Sequence, residues 1–261
     1  MIAPGRLQRP GAGWPLVEPA TPEELESCPF CGGREDRTPP ETLTIGDPWR
    51  VRVVPNLYPA FERQEVVVHA REHMRTVADL ADDQLGLVAE AWQRRRLDVP
   101  EGYLHALVNE GRAAGGSLAH SHSQLVWLPA VPPSVTSEHE LATALDAAEP
   151  VLERNGVVAL LPRAGRVPYE ALIAPGGPDS DPWSGDTLAT ALQLLAELTR
   201  RIHAIGGGPV PLNAWLHAGP WWHLEVFPRL TVLAGIELGA GIYVNTVAPE
   251  EAAKQLRETA M

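Results

Sequence analysis

The order of strand-like and helical segments in the first half of this chain recurs in the second half, and this repetition constrains the fold most. Each half has two strand-like runs, an amphipathic helical pattern and two further strand-like runs. The strand-like runs are residues 49–54, 65–69, 104–108 and 120–128, then 157–161, 171–174, 212–216 and 222–227. The helical patterns are residues 82–97 and a long segment that follows Ser184. We therefore predict an α+β fold of two similar half-domains with antiparallel sheets, residues 1–130 and 131–261, from internal duplication.

The last strand of each half supports the same interpretation. The segment His120-Ser-His122-Ser-Gln124 can be laid on Trp221-Trp-His223-Leu-Glu225, so that the second half keeps one histidine of the pair. Chance similarity between two short strands is the alternative explanation. In the second half, Ser184 is predicted to be the N-cap of the long helix, because serine side chains accept hydrogen bonds from the first free backbone amides.

Composition and charge narrow the class of protein. The 261 residues are 44% hydrophobic, which is sufficient for a sizeable core. A net charge of -12 argues against binding to polyanionic nucleic acid. No stretch approaches the roughly 18 to 20 apolar residues of a membrane helix, and the signal-peptide pattern is absent from the N-terminus. We therefore expect a cytoplasmic protein that acts on small molecules, with no nucleic-acid or membrane partner.

The segment from His120 to Gln124 is the strongest chemical signal. In a strand, His120, His122 and Gln124 share one face, and the intervening serines occupy the other. A neutral imidazole is able to attack a phosphoryl group and to carry it covalently. The loop Gly115-Gly116-Ser117 lies just upstream, and its backbone amides are able to approach a phosphate closely. An ordinary turn is the alternative for this loop.

Gly116-Ser-Leu-Ala-His-Ser-His-Ser-Gln124 resembles the active-site strand of the galactose-1-phosphate uridylyltransferase family of the histidine-triad superfamily. That family has His-Pro-His-Gly-Gln here, and the version with serines is more similar to its ADP-glucose phosphorylase branch. Four further segments resemble the family in order and spacing. They are Ala3-Pro-Gly-Arg6-Leu-Gln-Arg9-Pro10, Cys28-Pro-Phe-Cys31, Val54-Pro-Asn56-Leu-Tyr-Pro59 and Pro228-Arg-Leu-Thr-Val-Leu-Ala-Gly-Ile-Glu237.

The resemblance implies specific catalytic roles. His122 would be the nucleophile that becomes nucleotidylated, and Gln124 would hydrogen-bond the transferred phosphoryl group. Asn109 and Ser117 would hold phosphate oxygens. Backbone amides around Gly116 would stabilise charge on the same oxygens.

The resemblance also implies residues that bind the rest of the substrate. Arg6 and Arg9 would neutralise the diphosphate, since guanidinium groups suit phosphate geometry. Asn56 would face the nucleoside, and Glu237, with Gly235 beside it, would accept hydrogen bonds from sugar hydroxyls. A surface or turn role is the alternative for Asn56 and Arg9.

A metal centre is the cofactor that the resemblance implies. Cys28 and Cys31 alone are ambiguous, but the family position of His73 and the addition of His120 give a Cys₂His₂ set, which favours a closed tetrahedral Zn²⁺ site. Such a site has no open position for substrate, so it would fix the strand that carries the nucleophile. The nearby His69 is an alternative ligand, and we expect it to be a surface or partly buried residue instead.

Some family members have a second metal site in the second half. Trp221 and Glu225 stand where two of its histidines would be, so this site is predicted to be absent. His217 and His223 remain as candidates that line the active site, with a satisfied core histidine as the alternative for His217.

The resemblance therefore predicts a homodimer with active sites shared between chains and a ping-pong reaction of UDP-glucose with galactose-1-phosphate. Three alternatives remain. One is an ADP-glucose or dinucleoside polyphosphate phosphorylase, which uses phosphate as second substrate. Another is a histidine-triad hydrolase, against which the glutamine after the nucleophile argues. The third is a zinc-stabilised nucleotide-sugar-binding protein without activity.

Overall fold

The computed structural model describes residues 1–8, 13–136, 149–177, 181–219 and 221–259. Its strands are β1 Leu43–Ile45, β2 Val51–Pro55, β3 Gln64–Val68, β4 Tyr103–Glu110, β5 His122–Leu128, β6 Glu149–Arg154, β7 Val157–Leu161, β8 Ala171–Pro175, β9 Leu212–His217 and β10 His223–Pro228. Its α-helices are α1 Pro22–Ser27, α2 Asp82–Asp98, α3 Pro133–Thr136, α4 Thr187–Gly206, α5 Gly235–Ala240 and α6 Pro249–Glu258. Short 3-10 helices cover Pro4–Gln8, Glu35–Arg37, Val77–Asp79 and Arg112–Ala114.

The ten strands form one sheet in the order β1-β2-β3-β5-β4-β9-β10-β8-β7-β6, and neighbouring strands are antiparallel. Read from either edge, the order is the same if β6 to β10 replace β1 to β5. The two sets of five strands meet where β4 pairs with β9, with Leu107 opposite Trp215. The α+β class with antiparallel strands is confirmed. The division at residue 130 and the duplication stay predictions.

The sheet buries one face against the long helices. In β4, Leu104, Ala106 and Val108 belong to the main hydrophobic cluster, which also contains residues of α2 and α4. The alternate residues of β4, including His105 and Asn109, therefore point to the opposite face. That opposite face carries His122 and Gln124 of β5 and His223 and Glu225 of β10, which places the candidate site there.

The long helix of the second half differs from its prediction at one end. Helix α4 begins at Thr187, and its N-cap residue is Asp186 rather than Ser184. Ser184 instead donates a hydrogen bond to the carbonyl of Asp181 in the preceding turn. The predicted apolar face of the helix is buried. At the other end, Gly207 ends the helix with a φ of 76°, which only glycine adopts without strain.

None of the helices in the described part of the chain has the length and apolar character needed to cross a membrane.

Candidate functional site

The predicted nucleophile, His122, is the first residue of β5 and is 7% exposed. Its Nδ1 lies 2.8 Å from the carbonyl oxygen of His120, and only a protonated Nδ1 is able to donate to that oxygen. Burial lowers the pKa of His122, which favours the neutral ring. The lone pair is therefore on Nε2, the atom with which this imidazole would attack an electrophile.

A residue that the sequence analysis missed orients the side chain of Gln124. Gln64 donates from Nε2 to Oε1 of Gln124 at 2.6 Å, and its own Oε1 accepts from the backbone amide of Ala60 at 2.9 Å. Because Oε1 of Gln124 is engaged, its Nε2 is left to donate to a ligand. Gln64 lies opposite Val126 in the strand register and is a diagonal neighbour of Gln124. Knowledge of this register would have identified Gln64.

The side chain of Phe30 packs against the nucleophile. The ring centroids of Phe30 and His122 are 5.4 Å apart, and those of Phe30 and His120 are 6.0 Å apart. Phe30 lies between Cys28 and Cys31, so the cysteine-containing turn contacts the reactive ring directly. No pattern in the sequence singles out Phe30, because its contact with His122 forms only in the folded chain.

Asn109 is held at the end of β4 by the second half of the chain. Its Oδ1 accepts a hydrogen bond of 2.7 Å from Nδ2 of Asn213 in β9. Asn213 also donates to the carbonyl of Ala114 at 2.8 Å, which fixes the glycine loop over the sheet. Asn109 therefore keeps its Nδ2 group as a donor, which suits the predicted contact with a phosphate oxygen.

Two backbone amides of the glycine loop form hydrogen bonds within the loop, and the amides around Gly116 stay a predicted phosphate contact. The amide of Gly116 donates to the carbonyl of Gly111 at 3.0 Å, and the amide of Gly115 donates to Arg112, so both are already used within the loop. A Cβ on Gly116 would lie 2.8 Å from the carbonyl oxygen of Asn109. Close packing of the loop on β4 is thus the reason for this glycine. Ser117 is exposed immediately after the loop and remains a candidate to contact phosphate.

Asn56 stabilises a turn. Its side-chain Oδ1 accepts a hydrogen bond from the backbone amide of Tyr58 at 2.9 Å, and its backbone amide donates to the carbonyl of Gln64. This is the turn role that the sequence analysis left open. The same turn ends at Gln64, so Asn56 lies next to the residue that orients Gln124.

The four predicted metal ligands come together. Nδ1 of His120 lies 3.5 Å from Sγ of Cys28 and 3.7 Å from Sγ of Cys31. Nδ1 of His73 lies 3.3 Å from Sγ of Cys31. With ordinary bond lengths, a tetrahedral zinc ion separates a sulfur ligand and a nitrogen ligand by about 3.6 Å. The four atoms lie within 4.8 Å of one another and fit such an ion.

The Nε2 atoms of His120 and His73 form hydrogen bonds that favour metal binding through the Nδ1 atoms. Nε2 of His120 lies 2.9 Å from the carbonyl oxygen of Ala70, and Nε2 of His73 lies 3.0 Å from a carboxylate oxygen of Glu24. Both acceptors require a proton on Nε2, which leaves the Nδ1 lone pairs to face the sulfur atoms. Burial lowers the pKa of His120 to about 4 and raises the pKa of Cys31 to about 11 in the metal-free chain.

Relatives with similar sequence and structure are enzymes. An ADP-glucose phosphorylase of Arabidopsis thaliana is 28% identical over 316 aligned positions, which cover all of this chain and 90% of that protein. A galactose-1-phosphate uridylyltransferase of Thermotoga maritima is 23% identical over 94% of this chain and 95% of its own length. The crystal structure of an Arabidopsis thaliana ADP-glucose phosphorylase with bound ADP-glucose has a TM-score of 0.85 at 27% identity, and the match covers 100% of this chain and 95% of that one. The chain is a relative of the galactose-1-phosphate uridylyltransferase family. No family model matches it.

Two further predicted substrate-binding residues share one cavity. Arg6 and Glu237 line a cavity of about 600 Å³ together with Arg166 and Arg229. Among the described residues, the lining of this cavity does not include His122. Arg9 lies outside the described residues.

Glu237 has a local structural role in addition to its position in the cavity. Its carboxylate accepts the backbone amide of Ala234 at 2.9 Å, at the start of α5. This hydrogen bond lowers the pKa of Glu237, and the nearby charge of Arg6 acts in the same direction.

The second half also contains a cluster of potential metal ligands. Oε1 of Glu225 lies 3.7 Å from Nδ1 of His217 and 3.9 Å from Nε2 of His223, and the three ligand atoms lie within 4.8 Å of one another. In the sequence, Glu225 stands where a histidine ligand would be, and this substitution predicts that no metal site is present here. The structure corrects the reason for that prediction, because a carboxylate is itself a metal ligand. Oε2 of Glu225 binds Arg166 at 2.6 Å.

His69 is not at the surface, contrary to the expectation from the sequence. It is 1% exposed, and both of its ring nitrogens lie 2.9 Å from serine hydroxyls, those of Ser121 and Ser123. His69 faces the helices because it follows β3, whose alternate residues point to the core. It therefore lies on the opposite side of β5 from His122 and takes no part in the zinc-ligand cluster.

Proposed function

We propose that this chain is a nucleotidyltransferase that carries a nucleoside monophosphate on Nε2 of His122. The observation that carries the proposal is the state of this histidine. Burial lowers its pKa and favours the neutral ring, its Nδ1 proton is donated to the carbonyl of His120, and its Nε2 has no hydrogen-bond partner among the described residues. The amide of Gln124, aimed by Gln64, stands two residues along the same face of the strand.

In the first step, Nε2 of His122 attacks the α-phosphorus of a nucleotide sugar. A P–N bond forms, and the bond from phosphorus to the bridging oxygen breaks, so that a sugar-1-phosphate leaves. The ring keeps its Nδ1 proton and becomes positively charged, and the carbonyl of His120 stabilises this charge. Donors from Gln124 and Asn109 would bind the phosphoryl oxygens. In the second step, an oxygen of the second substrate attacks phosphorus and releases His122.

Two donor and acceptor pairs are compatible with this chemistry. UDP-glucose with galactose-1-phosphate is the pair that the motif first predicted, and a relative named as a uridylyltransferase supports it. ADP-glucose with phosphate is the second candidate. The serines of the active-site strand favour it, and so does the higher identity and full coverage of the ADP-glucose phosphorylase.

Zn²⁺ is the metal that suits the cluster of Cys28, Cys31, His73 and His120, because two thiolates and two imidazoles favour a closed tetrahedral site. When bound, zinc supplies rigidity rather than Lewis-acid chemistry. His120 would transmit this rigidity to His122, two residues along the chain, and Phe30 would do so through direct packing.

A homodimer would explain why Arg6 and Glu237 line a cavity whose lining does not include His122. The arginine-lined cavity would complete the site around His122 of the partner chain. Exposed apolar residues flank both sites, with Tyr58 85% exposed beside Asn56 and Val232 89% exposed near Glu237. A two-fold symmetric contact between these surfaces would bury apolar area at both ends of the dimer.

Intact-protein mass spectrometry after incubation with ADP-glucose or UDP-glucose tests the proposed reaction. The wild-type chain should gain the mass of AMP or UMP, and the gain should disappear when phosphate or galactose-1-phosphate is added. His122→Ala should form no adduct and keep its zinc. His203→Ala, which removes a histidine from α4, serves as a matched control and should react normally.

The outcomes separate the candidate functions. The mass of the adduct, AMP or UMP, identifies the donor. The compound that removes the adduct, phosphate or galactose-1-phosphate, identifies the acceptor. Spontaneous loss of the adduct in water would indicate a hydrolase. No adduct with either donor, or an undiminished adduct in His122→Ala, would reject the covalent mechanism.

A further inference from the structure

A buried hydrogen-bond network lies behind the strand that carries the nucleophile. His69 contacts the hydroxyls of Ser121 and Ser123, the two residues that flank His122. Trp92 of α2 donates from Nε1 to the Ser123 hydroxyl at 2.8 Å. The described side chains of this network are all buried, with at most a few per cent exposed, so that water does not compete for these bonds.

The direction of every hydrogen bond in the network follows from the donors available. Complete burial lowers the pKa of His69 well below its usual value, so the ring is neutral and has one donor and one acceptor. The Ser123 oxygen accepts from Trp92, and its own proton then goes to Nε2 of His69. The proton of His69 is therefore on Nδ1 and is donated to Ser121. The Ser121 hydroxyl in turn points to a carboxyl oxygen of Glu110, 3.5 Å away.

The opposite tautomer of His69 is less favourable. With the proton on Nε2, the Ser123 oxygen would accept from both His69 and Trp92, and its hydroxyl proton would have no acceptor among the described residues. A buried donor without an acceptor is costly. With the proton of His69 on Nδ1, the Trp92 N–H, the Ser123 hydroxyl, the His69 N–H and the Ser121 hydroxyl each have an acceptor.

Main-chain hydrogen bonds also hold the backbone next to His122. The backbone amide of His69 donates to the carbonyl of Ser121 at 3.2 Å, and the amide of Ser121 donates to the carbonyl of Met74 at 2.6 Å. These main-chain bonds hold the two peptide units that precede His122, and the side-chain bonds of His69 hold the serines on both sides of it. The carbonyl of His120, which orients the reactive ring, precedes Ser121 directly.

We infer that His69 is a positioning residue, which fixes the orientation of His122 by bridging the hydroxyls of Ser121 and Ser123 across the back of β5. The uridylyltransferase motif has proline and glycine at these two positions, and neither has a side-chain hydroxyl. His69 and the two serines therefore form one unit in this chain. The inference rests on the proposed function for its kinetic test alone.

The kinetic test compares His69→Leu with His69→Gln. Glutamine has one donor and one acceptor, as the neutral imidazole does, whereas leucine has neither. We expect His69→Leu to reduce the maximal rate of adduct formation at least tenfold, with a less than twofold change in the donor concentration for half-maximal rate. His69→Gln should restore most of the rate. Ser123→Ala should slow the reaction as His69→Leu does, and the two changes together should be non-additive.

Controls separate orientation from general loss of stability. Leu195→Ala opens a cavity in the buried face of α4, remote from β5, and Thr199→Val removes a buried hydroxyl from the same helix. Both should lower the melting temperature and leave the maximal rate unchanged. If His69→Leu lowers the rate no more than Leu195→Ala does, the positioning role is rejected.

Nitrogen-15 NMR of labelled histidines gives a readout that needs no substrate. Signals of His69 and His122 are identified by their loss in His69→Leu and His122→Ala. In the wild-type chain both rings should be neutral with the proton on Nδ1, and in His69→Leu the His122 ring should become a mixture of tautomers. An unchanged His122 tautomer would overturn the inference even if the wild-type chain forms an adduct. Absence of an adduct with a changed tautomer would instead reject the proposed function and retain the positioning role.

Discussion

At the residue scale, the site depends on side chains whose second hydrogen-bonding atom is already occupied. His122 uses Nδ1, Gln124 uses Oε1 and Asn109 uses Oδ1, and each leaves one atom for a ligand. A group fixed in this way loses little conformational freedom when substrate binds. The candidate metal ligand His73 follows the same rule, because Glu24 binds its Nε2 atom and leaves Nδ1 for a metal ion.

The contact between Glu24 and His73 is predicted to strengthen zinc binding. Glu24→Ala removes the acceptor for Nε2 of His73, so the ring loses its fixed tautomer, and we expect zinc affinity to fall about 10- to 100-fold. Competition with a chromogenic chelator measures the change. Glu23→Ala changes the neighbouring exposed carboxylate of α1 and should keep wild-type affinity. Equal affinities for the two variants would show that the Glu24 contact does not support the metal.

At the element scale, β5 has a reactive face and a buried polar face. His122 and Gln124 point to the site, and Ser121 and Ser123 point to the helices. The alternation was predictable from strand geometry, but the partners of the serines were not. His69 is 52 and 54 residues away in sequence from them, and β3 brings it next to β5 only when the sheet forms.

The carboxyl of Glu110, at the end of β4, predicts a pH dependence of stability. Burial raises the pKa of Glu110 to about 8, whereas an unfolded glutamate titrates near 4.5. The folded state therefore holds a proton that the unfolded state releases, and the resulting stability is lost as the pH rises from about 4.5 through about 8. We expect the denaturant midpoint of the wild-type chain to fall between pH 6 and pH 9, and that of Glu110→Gln to fall less. Glu101→Gln, an exposed carboxyl, should follow the wild type. Parallel curves for Glu110→Gln and the wild type would contradict the buried, protonated state.

At the scale of the whole molecule, one sheet joins two sets of five strands through the β4–β9 pair. This junction brings Asn213 of the second half against Asn109 of the first, so the second half helps to build the site. His122, however, is not among the described residues that line the arginine-lined cavity.

Mixing two inactive variants tests whether the active site is shared between chains. His122→Ala and Arg6→Ala each remove one part of the proposed composite site. After subunit exchange, half of the dimers would be mixed, and one of their two sites would be intact, so activity should recover to about a quarter of the wild-type value. A mixture of His122→Ala with Gln124→Ala should recover nothing, because both changes fall on the same part. Failure of the first mixture to recover activity, with subunit exchange verified, would locate both parts in one chain or exclude a catalytic role for Arg6.

The sequence by itself determined the class of fold, the strand that carries His122 and the grouping of Cys28, Cys31, His73 and His120 as candidate metal ligands. The alternation that predicts a strand involves only neighbouring residues, and the candidate site residues lie in short segments that can be recognised in the sequence. Only the tertiary structure decided the roles of Gln64, His69 and Gly116. Each depends on the register between strands or on loop packing, which unites residues far apart in the chain. The N-terminus of α4 shows that even a local prediction is limited in this way. Ser184 is a suitable N-cap residue by type, but its hydroxyl donates to the carbonyl of Asp181 in the preceding turn.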